Sequence, residues 1–406
     1  MSHGGGFLAA TRQHVGKTSS SLGLVTALQK VFDKIGFQKP MGQQHVPIKV
    51  EGKQEPVQID KDCPLFKELL GCSGSYEDMS PLVVPAGYTR DYIDLSLKEQ
   101  TKLRTSVLDD IAQAYKRIAA ESDFVVCEGT GHTAVGSIVG LNNAKIASHL
   151  DVPMVMVVNG GIGSSFDEFY LNQCVIEAEG ARLAGVLVNK CAPKKVNQVH
   201  NYLEKALAPF DVPILGVVPD KEFFESPCIR DFESLFNTKM LTGKDHRNRH
   251  FKEVRLATCS TRHFLSTYRK SSPQTLWVIH ASRTDLILAL KSAAQEAEHQ
   301  NRHDPDYNYQ GGLLLTGSPN ISFPRGLQED IFDMVTLTVN FPTMYVPQSS
   351  HQVMNTIERY TAKLNVEDVV RASAVMEHYA EHIDVELLLE RCTGNQDALR
   401  GFGCPR

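Results

Sequence analysis

The sequence predicts an α/β chain in two parts: a doubly wound, mostly parallel sheet within residues 1–242, and a second, smaller α/β domain over 273–390. Three observations carry this. Short apolar runs recur, each followed by a helix-length amphipathic segment, which is the rhythm of parallel strands joined by crossover helices. The runs are continuous in Val, Ile and Leu rather than alternating, as in strands covered on both faces. A polar and basic stretch starting at Thr238, TKMLTGKDHRNRHFKEVR, breaks the rhythm before it resumes.

The strands of the first part are FLAAT (7–11), FVVCEG (124–129), PMVMVVN (153–159), AGVLVNK (184–190) and PILGVVP (213–219). Between them SSLGLVTALQKVFDKI (20–35), residues 107–120 and VNQVHNYLEKALAPF (196–210) have the three-and-four apolar spacing of helices. Residues 243–272 read as a basic linker. Beyond it TLWVIHA (275–281), GGLLLTG (311–317) and TMYVPQ (343–348) are strands, with helices expected near 285–299, 326–333 and 350–363. HQNRHDPDYNYQ (299–310) reads as a polar surface loop and 391–406 as a mobile tail.

Composition narrows the function classes. The net charge of −5 argues against a dedicated nucleic-acid binder. No apolar stretch approaches the ~18 residues of a membrane span. Nine cysteines stand singly with no CxxC pair, which suits a reducing compartment. The N-terminus MSHGGGFLAAT has neither a signal peptide's apolar core nor an arginine-rich transit segment, so the expected location is the cytoplasm, or an organelle if a longer N-terminus precedes it. Charge is uneven: from Lys244 to Lys270 eight Lys or Arg stand against Asp245 and Glu253, a local +6 that leaves −11 elsewhere.

One motif carries chemistry. TRQHVGKT (11–18) ends the first strand, opens a helix, and has the spacing of a phosphate-binding Walker A loop, except that Thr11 stands where the first glycine would be. Gly16 lets the backbone approach phosphate, and the helix N-terminus offers unpaired N–H groups and the positive end of its dipole. Lys17 would neutralise β- and γ-phosphates and the Thr18 hydroxyl would ligate Mg2+. The expected nucleotide contacts are Thr11, Arg12, Gln13, His14, Val15, Gly16, Lys17, Thr18 and Ser19, with ATP or another nucleotide and Mg2+ as cofactors. Other candidates are weaker. The pairs His378/His382, His299/His303 and His246/His250 are spaced four apart but lack HExxH or a completing ligand set, and read as solvated. There is no GxSxG elbow for a covalent hydrolase.

A loop with Thr for the first glycine and VGKT at its end resembles the dethiobiotin synthetase and cobyrinate synthase group of P-loop proteins, as does GFQKPMGQQ (36–44) with Lys39. DKDCPLFKELLG, YEDMSPLVVPAGYTRDYID, VVCEGTGHT and PILGVVPDKEFFESPCIRDFESLF are similar to the nonenzymatic N-terminal half of long phosphate acetyltransferases. WVIHASRTDLILAL, GLLLTG and YVPQSSHQVMNTIERY resemble that half's DRTGG domain, with Ser282 in place of the Asp and Asp285 in place of a glycine. The resemblance covers about residues 7–390. It implies Asp60 and Glu128 beside Thr18 at the metal, Asn189 at the base, Lys39 with Lys17 at the phosphates and any catalysis, and Arg12 either exposed or reaching a neighbour's γ-phosphate. The function it implies is a nucleotide-binding regulatory protein, without acetyltransferase activity of its own. The alternatives are an ATP-dependent carboxylate- or carbamate-activating ligase, disfavoured because EGTGHT replaces the family's EGAGG, and a slow dimerising ATPase switch. A homodimer or higher homo-oligomer and a protein partner are expected, a nucleic acid or membrane is not.

Overall fold

The computed structural model describes residues 4–50, 52–303, 309–317 and 341–393. The chain forms two compact units, Met1–Asp220 with Leu364–Arg406, and Lys221–Lys363.

The first unit is built on six strands in the order β10 (Ile214–Pro219), β9 (Leu183–Cys191), β8 (Met154–Asn159), β1 (Gly4–Ala10), β7 (Phe124–His132) and β2 (Ile35–Gln38), every adjacent pair parallel. Side chains alternate across the sheet. Phe7, Ala9, Val125, Cys127, Met154, Met156, Val186 and Val188 share one core with Ile111 of α4 (Leu97–Ala120), Ala144 of α5 (Asn143–Leu150), Phe169 of α6 (Gly163–Ala178) and Leu203 of α7 (Val196–Leu207). The other face is covered by α1 (Lys17–Leu28) and by the helix Val385–Thr393. Helices on both faces make this a doubly wound sheet, and the order turns at β1, where such sheets bind ligands beyond their carboxyl ends.

The second unit has five strands in the order β11 (Met240–Thr242), β15 (Thr343–Val346), β14 (Gly312–Thr316), β13 (Thr275–His280) and β12 (Glu253–Leu256). All neighbours run parallel except β11 against β15. Trp277, Ile279, Leu313 and Leu315 pack on one side with Phe264 of α9 (Thr261–Tyr268) and Leu290 of α10 (Thr284–His303). Leu276, Val278, Leu314 and Met344 pack on the other with Phe232 of α8 (Ile229–Phe236) and Val353 of the helix Ser350–Glu358.

Two expected boundaries shift. The stretch 243–272 is not a linker, since it supplies β12 and α9 to the second sheet. Its charges lie on outward faces while Phe251 and Phe264 anchor it inside, so its polar composition hides a folded segment. The chain after 364 belongs to the first unit rather than the second, because the α1 face of the six-stranded sheet needs a cover. The α10 helix also absorbs residues 299–303 of the expected loop, and the helix expected at 326–333 lies outside the described residues, as does most of the tail. His378 and His250 are buried rather than solvated. The Nε2 of His378 lies 2.8 Å from the Pro219 carbonyl oxygen, and His250 meets Phe223 edge-on.

The contact that returns the C-terminal helices to the first unit runs through Gly23 of α1, where an added Cβ would lie 2.1 Å from the Cβ of Tyr379. A Gly→Ala change in an open helix gains about 1 kcal/mol. Here the overpacking cost of ~1–3 kcal/mol prevails, so Gly23→Ala should lower the urea midpoint. A midpoint that rises would place this helix elsewhere.

Candidate functional site

β1 leads into the loop Thr11–Gly16, and α1 starts at Lys17. His14 and Gly16 both take left-handed backbone, φ 61° and 89°. Gly16 is the N-cap and no side chain caps the helix, so its first N–H groups are not claimed by a capping side chain. The turn is braced from behind. Asn189, fully buried at the end of β9, donates from Nδ2 to the Val15 carbonyl at 2.7 Å, and an added Cβ on Gly16 would strike that same nitrogen at 2.2 Å. Thr11 explains its own departure from glycine: its hydroxyl donates to Glu168 of α6 at 2.8 Å, while its carbonyl accepts from Asn172. Arg12 folds against the same helix, 3.5 Å from Glu168 Oε1, and donates from Nε to Asn159 at 3.2 Å when that carboxamide turns its oxygen toward the guanidinium.

Beyond the loop lies a buried cluster of charge. The Lys39 ammonium sits between Glu128 Oε1 at 2.6 Å and Asp62 Oδ2 at 2.7 Å. Thr18 Oγ1 donates to the same Glu128 oxygen at 3.1 Å, and Lys17 Nζ donates to the Gly131 carbonyl at 3.0 Å. Asp60 lies beside them, its Oδ1 accepting from the Asp62 N–H and its own N–H donating to Ser80 Oγ. Burial opposes the charge on Lys39, but Asp62 and Glu128 more than offset it and hold its pKa well above that of a free lysine. Lys17 is pulled down to about 8 by burial, which Glu128 only partly opposes. Asp60 is pushed up to about 6 by burial, with Lys39 acting against the rise and Asp62 adding to it.

Whether this cluster suits a divalent cation turns on Glu128. Its Oε2 is buried and has no hydrogen-bond donor among the described residues, which is costly for a carboxylate in a dry site. Three carboxylates, Asp60, Asp62 and Glu128, converge on Lys39, with Lys17 beside them and Lys61 acting on Asp62 from its edge. Carboxylate and hydroxyl oxygens are the donors a hard cation takes. The residues present therefore fit Mg2+.

The structure brings Thr18, Lys17, Lys39, Asp60 and Glu128 together and places Gly16 over the helix start. Two residues have partners within the first unit. Asn189 has both ends of its carboxamide engaged, Nδ2 with Val15 and Oδ1 with the Lys190 N–H, so it braces the loop. Arg12 is exposed, as one of its two expected readings has it, and pairs with Glu168 of its own chain. Gln13 and His14 are exposed on the loop and Ser19 is half-buried in the first turn. Asp62 was missed; its only signal is its place beside Asp60 in IDKD, since it lies in the turn that follows the strand ending at Asp60. Gly131 and Asn143 carry no such signal. Asn143 pins the segment after Glu128 by accepting from the Thr130 N–H and donating to the Thr130 and His132 carbonyls.

A parallel sheet whose central strand runs through a glycine turn into an uncapped helix beside Lys and carboxylates defines a P-loop protein. Residues 5–227 match the family AAA_26, described as an AAA domain, and the chain belongs to that family. It is 26% identical over 400 residues to the phosphate acetyltransferase of Pseudomonas aeruginosa, covering 95% of this chain and 52% of that protein. With the phosphate acetyltransferase of Nitrosomonas europaea it shares 24% over 398 residues, 96% and 52% of the two chains. The chain thus spans about half the length of these relatives. Among solved structures, cobyrinic acid a,c-diamide synthase of Mycobacterium smegmatis with bound ADP and magnesium is 14% identical over 53% of this chain and 86% of that one, with a TM-score of 0.30, a likeness that carries no argument. No described helix is long and apolar enough to cross a membrane.

The raised pKa of Asp60 has a stability consequence of definite sign. Its folded value lies above the ordinary ~3.9, so its contribution is complete below about pH 4 and is lost as pH rises through about 6. Asp60→Asn should therefore stabilise the ligand-free protein at neutral pH, on the order of 2 kcal/mol, and leave it unchanged near pH 4. Urea unfolding at the two pH values decides it, and a variant less stable at neutral pH would show that the Asp60 charge is welcome in the cluster.

Proposed function

We propose that the first unit binds a nucleoside triphosphate, ATP foremost, together with Mg2+, and that the chain is a nucleotide-responsive regulatory protein of the kind formed by the N-terminal half of phosphate acetyltransferases. The observation that carries this is the start of α1: a left-handed Gly16, no side-chain cap, and Lys17 and Thr18 at the first two helical positions beside Glu128. Phosphate oxygens would accept from the free N–H groups of that turn. Lys17, held at a cost by a single carbonyl, would recover its charge against them. Thr18 and Glu128, with Asp60 directly or through water, would hold the cation, which when bound neutralises phosphate charge. Glu168 and Asn172 fix Thr11, so occupation of the loop has a path into α6. The likeness of the second unit to a DRTGG domain belongs to the same reading.

The segment EGTGHT bears on the ligase alternative. The resemblance implies a glycine-rich run that closes on substrate, whereas here Asn143 ties both sides of the run to α5. That fixed segment favours binding and signalling over ligation.

Calorimetry with ATP and ADP, with and without Mg2+, tests the proposal directly, and phosphate release separates a binder from an ATPase. Lys17→Ala should weaken ATP binding at least ~10-fold, about 1.4 kcal/mol, in a protein that still folds. For the unsubstituted chain, affinity should fall as pH rises through about 8, where the free Lys17 loses its proton. A folded Lys17→Ala protein with unchanged affinity would defeat the proposal.

A further inference from the structure

We propose that the second unit carries a ligand site of its own, a cleft between β12 and α9 that takes a small phosphate-bearing organic molecule. The cleft, open on one side, has a volume of about 440 Å³, within the roughly 300–1,000 Å³ of small-molecule sites. Its floor is apolar: Ala257, Phe264 and Trp277, with the Phe264 and Trp277 rings edge to face at 4.9 Å. The small side chain of Ala257 leaves the space open, and Leu256, 39% exposed, forms an apolar rim. It opens at the carboxyl end of β12, the edge strand of the sheet.

The polar lining has one sign. Arg255 enters from β12, its Nε fixed on Glu253 Oε2 at 2.7 Å, and neither terminal nitrogen has a partner among the described residues. One carboxylate thus orients the guanidinium and leaves its fork free, the geometry that suits a phosphate's several oxygens. His263 and the hydroxyls of Thr258 and Thr267 line the same space. Lys252, Glu253 and Arg255 also guard an edge strand against pairing. Guarding, however, needs no cavity and no aromatic floor. Every lining residue belongs to the second unit, so the site is separate from the phosphate loop.

Trp277 is the only tryptophan in the 406 residues and lies in the floor, so its fluorescence reports the cleft in the full chain. AMP or phenyl phosphate should change it saturably, and adenosine should not. Arg255→Gln should raise the apparent Kd at least ~10-fold, and Leu256→Asp, which sets a negative charge on an exposed rim, should do the same even if the first variant folds poorly. The response should persist in Lys17→Ala, which alters only the other unit. No saturable change with either phosphate, a response that survives Arg255→Gln and Leu256→Asp, an equal response to adenosine, or a response lost in Lys17→Ala would each overturn the site.

Discussion

The buried Lys39 ammonium between Glu128 and Asp62 is the constraint on which the first unit's site depends. Removing one partner of such a group leaves an uncompensated charge, so the three side chains hold one another in place. The sheet register puts them there. Gln38 pairs with Cys127 across β2 and β7, and the next residues are Lys39, just past the end of β2, and Glu128 on β7. Leu8 of β1 pairs with Glu128 on its other side, so the strand that feeds the phosphate loop adjoins the carboxylate that Thr18 reaches. Charge and backbone turn therefore meet at one end of three adjacent strands.

The cluster is not balanced by itself. An orphaned Glu128 oxygen and an elevated Asp60 pKa are two signs of one state, a site that is more comfortable with a further cation. The suppressed Lys17 pKa is the complementary sign, a cation more comfortable with an anion. A metal and a polyphosphate answer both needs at once, which is the physical content of a Mg2+–nucleotide site.

Much of this was legible in the sequence because it rests on local rules. Strands covered on both faces announce themselves as runs such as MVMVV, and GKT between a strand and a helix has few other uses. What escaped was non-local. That Asn189 braces the phosphate loop depends on the packing of β9 behind it, which no local pattern shows. Asp62 needed the path of the chain after β5 (Val57–Asp60) to bring it to Lys39. The stretch 243–272 was misjudged because composition counts charges without saying which way they face. The return of 369–393 to the first unit depends on a contact at Gly23 that no periodicity reveals.

Water-proton relaxation with Mn2+ in place of Mg2+ tests the carboxylate cluster most directly. Adding the protein to Mn2+–ATP should enhance the relaxation rate, as the cation becomes held by Glu128 and Thr18. Glu128→Gln should lose most of that enhancement while still binding ATP in EDTA. Equal enhancement by the folded Glu128→Gln protein would contradict the account, since the buried carboxylate would then play no part in holding the metal.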